Sequence, residues 1–87
     1  MKLKLLGSEA ATVVGSTNGS NFGLSTAVRV HNSGTSAYLV SVETAAASLI
    51  GTFTLGGGKS EVIQKDPTDE VFTANVEVLG VGVAITG

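Results

Sequence analysis

The chain has no cysteine and no tryptophan, and it carries one proline, one histidine and five basic residues in 87. Without cysteine there is neither a disulfide framework nor a thiolate metal site. Stability must then come from the core or from neighbours, because the usual staples of small domains are missing. With three phenylalanines and one tyrosine, exposed rings on which sugars or single strands stack are scarce. Five basic against seven acidic residues give a net charge of −2, which argues against nucleic acid, whose phosphates need clustered Lys and Arg. No stretch approaches the roughly 20 apolar residues of a membrane span. Met1 to Leu6 has the flavour of an export signal, but the apolar stretch stops at Gly7-Ser8-Glu9, short of the 7–15 residues required. The expectation is a protein made in a cytosol, without nucleic acid, membrane or small-molecule substrate as partner.

What is present points to strands. Hydrophobic residues make up 43% of the chain, charged residues only 14%, and glycine occurs twelve times. Valine and threonine are abundant while the strong helix formers are thin, a mixture that reads as short strands joined by tight turns. The length allows one domain, and such a chain buries only about 60–65% of its unfolded surface. With so little charge to coat the outside, an isolated copy is expected to expose apolar surface, which often marks a contact site.

Lys2 to Leu6 alternates charge with leucine, the period-2 pattern of a strand with one wet face. Glu9 to Val14 is a second candidate. Gly15 to Asn21 contains nothing suited to a core and is expected to be an exposed, mobile loop. It divides residues 1–21, an arm and polar loop, from a body over 22–87. In the body, Leu24 to Asn32 places Val28 and Val30 on one face and Arg29 and His31 on the other. Asn32-Ser33-Gly34-Thr35 is a turn. Tyr38, Val40 and Val42 then line one face of a strand expected to form a hairpin with the preceding one, with Leu39, Ser41 and Glu43 opposite. Leu49 to Leu55 and Lys59 to Lys65 flank a reversal at Gly56-Gly57-Gly58. Asp66-Pro67-Thr68-Asp69 has the chemistry of a capped helical turn. From Val71 to Thr86 nearly everything is strand former. Leu79, Val81, Val83 and Ile85 make one apolar face, opposite the small Gly80, Gly82 and Ala84. Small residues in a strand permit close approach by another segment, of the same chain or a partner. Six to seven strands without helical crossovers predict an all-β fold, a small antiparallel sandwich with at most one short helical turn, and alternation alone leaves a small closed barrel as the alternative.

Catalytic and metal readings find no footing. Gly56-Gly57-Gly58-Lys59-Ser60 ends like a phosphate loop, but the earlier glycine position holds Phe53 and a strand rather than a helix follows. It reads as a hairpin turn. Asp66, Asp69 and Glu70 form the one acidic cluster, and their spacing does not match a calcium loop. His31 stands alone among nine serines, with no second group to orient it. No enzyme, cofactor or metal is expected. The rings of Tyr38, Phe53 and Phe72 sit at core-like positions, leaving Phe22 as the one ring expected to be exposed.

The body from Val28 to Gly87 resembles small immunoglobulin-like β-sandwich proteins of tailed bacteriophage particles, including cyanophage particles. The resemblance lies in Val-Arg-Val-His-Asn-Ser-Gly, Phe-Thr-Leu-Gly-Gly-Gly-Lys-Ser, Lys-Asp-Pro-Thr-Asp-Glu-Val and the closing valine-rich strand. It covers about two-thirds of the chain and has no invariant motif. It implies a capsid decoration or other minor virion protein, made in host cytoplasm, that contacts other virion proteins such as a major capsid protein, and copies of itself. On that reading the partner-binding residues are Leu3, Leu5, Leu6, Phe22, Gly80 and Gly82, with residues 1–6 adding a strand to a neighbour's sheet or pairing within their own. The alternative is a glycan- or receptor-binding module gripping its ligand through the Gly15–Asn21 and Glu43–Ser48 loops.

Overall fold

A computed structural model describes residues 2–16 and 18–86. Met1 of the arm, Thr17 of the polar loop and Gly87 of the body lie outside the described residues. Eight strands form: β1 (Lys2–Leu5), β2 (Ala10–Ala11), β3 (Ala27–Asn32), β4 (Tyr38–Glu43), β5 (Leu49–Leu55), β6 (Ser60–Gln64), β7 (Glu70–Thr73) and β8 (Val78–Thr86). They make two antiparallel sheets, one ordered β1-β8-β3-β6 with β2 also on β8, the other β5-β4-β7. The chain is thus an all-β sandwich, and no helix occurs among the described residues.

The pairing is nested. β4 pairs β5, β3 pairs β6, and β1 and β2 pair β8. Between those shells, Val14 and Ser20 bridge β7. This is a long two-stranded ribbon rolled onto itself, the double Greek key of a jelly roll, with one strand reduced to two bridges. An immunoglobulin domain keeps its last two strands in one sheet, whereas β7 and β8 lie in different sheets.

The core lies between the sheets, where Val28, Val30 and Val78 meet Val40, Leu55 and Val71. Facing apolar stripes explain two corrections to the sequence reading. β3 and β4 do not form a hairpin; they lie in opposite sheets so that Val28 and Val30 pack against Val40. The triple-glycine reversal is likewise a crossing between sheets, since β5 and β6 do not pair. A turn signal says that the chain reverses, not which sheet receives the next strand. The stretch Asp66–Asp69 carries the chain across as a β-turn rather than a helical turn: Asp69 donates its backbone N–H to the Asp66 carbonyl at 3.0 Å, and its carboxylate accepts the Asp66 N–H at 3.2 Å. The stretch from Val71 onwards is broken at Ala74–Glu77 into β7 and β8, again one strand in each sheet.

The arm is settled too. Lys2↔Thr86, Leu3↔Ile85, Lys4↔Ala84 and Leu5↔Val83 pair within the chain's own sheet, the second of the two arrangements the sequence allows. The polar loop is tied down as well. Ser20 and Val71 exchange backbone hydrogen bonds, and Ser16 Oγ donates to Glu43 Oε1 at 3.0 Å. Glu43, on the face of β4 opposite Tyr38, Val40 and Val42 in the sequence reading, is fully buried, because this loop lies over its strand.

Candidate interaction surface

The outer face of the five-stranded sheet follows from register. In an antiparallel ladder, directly paired residues point to the same side. Leu3 and Leu5 therefore share a face with Ile85 and Val83, and that face continues through Val81, Ala27 and Arg29 to Val62 at the far edge. Val81 and Val83 are buried, while Leu5 is 64% exposed, Leu3 41%, and Val62 and Ile85 each 38%. The result is an apolar ridge across one side of the molecule, with Leu6, 52% exposed, at the end of β1.

Polar groups interrupt the ridge at β3. Arg29 Nη1 donates to Glu9 Oε2 at 3.1 Å, an ion pair with both side chains about a third exposed. Such a pair contributes about 0–1 kcal/mol, so it orients Arg29 more than it stabilises the fold. Ser60 Oγ lies 2.6 Å from His31 Nδ1 and 3.3 Å from Arg29 Nη2. A serine–histidine contact invites a nucleophile reading, which needs a third group orienting the base. Among the described residues, the hydrogen bonds of the His31 ring run to Ser60 alone.

Beside the ridge, a groove of about 380 Å³ runs between the arm and a left-handed turn, lined by Leu6, Ala10, Thr12, Phe22, Gly80 and Gly82 among others. It gathers four of the residues singled out from sequence, while Leu3 and Leu5 stand on the ridge instead. The turn is unusual: Phe22, Gly23 and Leu24 have φ of 52°, 68° and 63° in succession. Non-glycine residues adopt this region at a cost and need support from their surroundings. Asn21 Oδ1 accepts the N–H groups of Gly23 and Leu24 at 3.1 and 3.3 Å. Lys65 Nζ donates to the carbonyls of Asn21 and Ser25 at 3.1 and 2.7 Å. Burial pushes the Lys65 ammonium below its usual pKa, and Asp69 and Asp66 pull it back up. Nothing in the periodicity of the sequence marks Lys65 for this task.

Phe22 is half-buried against the core rather than standing free. It lies where a Gly80 Cβ would come within 2.8 Å of its Cζ, and its carbonyl lies 3.0 Å from a Gly82 Cβ. The small face of β8 therefore admits a segment of the same chain. Gly80 and Gly82 form the groove floor under Phe22, and both are buried, so neither offers a surface directly to a partner.

The remaining candidates resolve as local structure. In the glycine-rich reversal, Lys59 N–H donates to Gly56 O at 3.0 Å and Gly58 N–H to Asn32 O at 2.9 Å, so these amides do not converge on an empty cradle. Among the described residues there is no group of three or more His, Asp or Glu able to hold a metal ion. Tyr38 Oη donates to Glu77 Oε1 at 2.7 Å. That hydrogen bond raises the phenol above its ordinary 10.0, with burial and the Glu77 charge acting in the same direction and Ser36 opposing. A raised folded-state pKa adds stability at pH below the unfolded value, and this is lost as pH climbs through the folded one. Glu77→Gln should bring the Tyr38 ionisation down towards 10, read by phenolate absorbance. An unmoved titration would remove Glu77 as the cause.

Comparison with family models, with curated proteins and with solved structures finds no match to this chain.

Proposed function

We propose that the chain is a non-catalytic structural subunit that docks onto other protein through the apolar outer face of its five-stranded sheet. At finer grain, the proposal is a decoration or other minor component of a phage capsid, made in the host cytoplasm and retained in the virion. Its partners there are other virion proteins, a major capsid protein first among them, and further copies of itself. The observation that carries the docking role is the ridge of Leu3, Leu5, Val62 and Ile85, exposed around the buried Val81 and Val83. Covering what each still exposes would contribute part of the roughly 1.5–3 kcal/mol that full burial of such a side chain gives. An apolar patch with Arg29 set within it, between Val81 and Val62, has the composition of a protein interface, where Arg is enriched and other charges are depleted. The virion assignment draws support from the sequence resemblance of residues 28–87. The jelly-roll order, found in many capsid proteins but also in lectins, adds an analogy of fold and no more.

The test is the double substitution Leu3→Asp and Leu5→Asp, with Val62→Asp as a second probe from the opposite edge. All three side chains are at least a third exposed, so the fold should persist, as circular dichroism and melting would verify. Losing two buried leucines should weaken docking to particles by about 100-fold or more, read by co-sedimentation in density gradients. Variants that sediment with particles as the unaltered chain does would exclude this face. Native particles lacking the chain altogether would exclude the virion role.

A further inference from the structure

The two sheets have four edges, and three of them are guarded. β1 carries Lys2 and Lys4 at alternate positions. β6 carries Glu61 and lies between Lys59 and Lys65. The β7 edge is occupied by the chain itself, since Val71 and Ser20 exchange backbone hydrogen bonds and Thr73 N–H donates to Val13 O at 3.0 Å. Short strands, lysines and covering segments are the devices by which proteins prevent edge-to-edge pairing.

β5 has none of these. It is seven residues long, Leu-Ile-Gly-Thr-Phe-Thr-Leu, with no charge and no proline, and it ends its sheet, pairing β4 alone. Leu49 and Ile50 are 61% and 56% exposed. The irregularity opposite Val42/Glu43 sits at its first residues, leaving Gly51 to Leu55 in regular register with β4. Its outer backbone N–H and C=O groups fit another extended strand.

We infer that β5 pairs antiparallel with β5 of a second copy of this chain, joining two three-stranded sheets into one of six. The strand is complementary to itself about Thr52. Antiparallel pairing centred there sets Gly51 opposite Phe53, Ile50 opposite Thr54, and Thr52 opposite Thr52. A ring over an edge glycine and a threonine pair are both favourable cross-strand neighbours. An identical strand brings no charge, so two copies of a chain with net charge −2 meet here without local repulsion, and the two-fold contact closes on itself. A standard interface needs about 800 Å² per partner, roughly a sixth of the 4719 Å² that one copy exposes. A single strand edge supplies less, so the dimer dissociates in the micromolar range or above and fills when copies are concentrated on a surface. The inference gives the self-association proposed above a strand and a symmetry, and it uses a surface separate from the Leu3–Leu5 ridge.

Sedimentation equilibrium of the unaltered chain should show a reversible monomer–dimer mixture. Thr52→Lys, at an exposed position, sets two lysines opposite each other and should weaken the dimer at least tenfold with the melting temperature of the monomer unchanged. Thr52→Cys, in a chain without native cysteine, should form a disulfide-linked dimer on mild oxidation. The Leu3→Asp, Leu5→Asp variant should dimerise normally, so that failure of ridge docking and failure of strand pairing are read separately. A monomer mass up to about millimolar concentration, or a dimer indifferent to Thr52→Lys, overturns the inference.

Discussion

Replacing Asn32 by alanine should destabilise the domain by about 3–5 kcal/mol. Asn32 ends β3 and is fully buried. Its Nδ2 donates to Ser36 O at 2.7 Å and to Leu55 O at 3.0 Å, while its Oδ1 accepts the Gly34 N–H at 2.9 Å. Its backbone serves as well: its N–H donates to Lys59 O and its carbonyl accepts from Gly58, both at 2.9 Å. Both crossings between the sheets, β3 to β4 and β5 to β6, are therefore tied to one residue. Alanine leaves the buried Leu55 carbonyl without its partner and takes one hydrogen bond each from the part-buried Ser36 carbonyl and Gly34 N–H. The orphaned buried carbonyl costs about 1–3 kcal/mol and each part-buried hydrogen bond about 0.5–1.5 kcal/mol. A domain of this size has roughly 4–13 kcal/mol in all, so the variant should melt at least about 12 °C lower. Asn32→Asp should fare no better, because a carboxylate oxygen would then face the Ser36 and Leu55 carbonyls. A thermal scan placing both variants within about 5 °C of the unaltered chain would refute the knot.

How much of this was legible beforehand depends on what each residue had to specify. Strand positions were legible because alternation is a local property: Val28 and Val30 against Arg29 and His31 fall on the faces the sequence predicts. Turn positions were legible for the same reason, since Asn-Ser-Gly and Gly-Gly-Gly reverse the chain wherever they occur. Pairing was not. Whether β4 lies beside β3 or faces it across the core depends on the whole set of apolar faces seeking cover, and no short window contains that information. The burial of Glu43 was hidden by the same limit, because its cover is a loop more than twenty residues earlier, with Ser16 Oγ on Oε1. Asn32 looked like a turn residue and is one, but its second task, holding the other crossing, involves residues 23 and 27 positions away. Of the apolar ridge, Leu3 and Leu5 were readable from their alternation with lysine. Their union with Val62 and Ile85 required the register.

The small face of β8 offers a case where opposing terms can be weighed. Gly80→Val gains on two counts: valine suits strands by up to about 1 kcal/mol, and removing a strand glycine lessens the entropy lost on folding by about 0.5–1 kcal/mol. The φ of Gly80 is not in the left-handed range, so no backbone penalty applies, and an unobstructed site would make the change stabilising. The site is obstructed. A Cβ there lies 2.8 Å from Phe22 Cζ, 3.0 Å from Phe22 Cε1 and 3.2 Å from Thr12 Cγ2. The branched methyls of valine extend further into the same space. Phe22 has little freedom to retreat, because Phe22-Gly23-Leu24 is held in its left-handed turn by Asn21, and Lys65 anchors Asn21. Expelling the ring forfeits its contact with the core, which outweighs the intrinsic gains and leaves a net loss of about 2 kcal/mol, roughly 8–16 °C in melting temperature. Removing the ring by Phe22→Ala is costly alone, yet in the Gly80→Val background much of that cost has already been incurred. The double variant should therefore be more stable than the sum of the singles by about 1–3 kcal/mol. Strictly additive losses in a chemical denaturation cycle would mean that Phe22 does not occupy the groove floor, and the reason given for glycine at position 80 would fail with it.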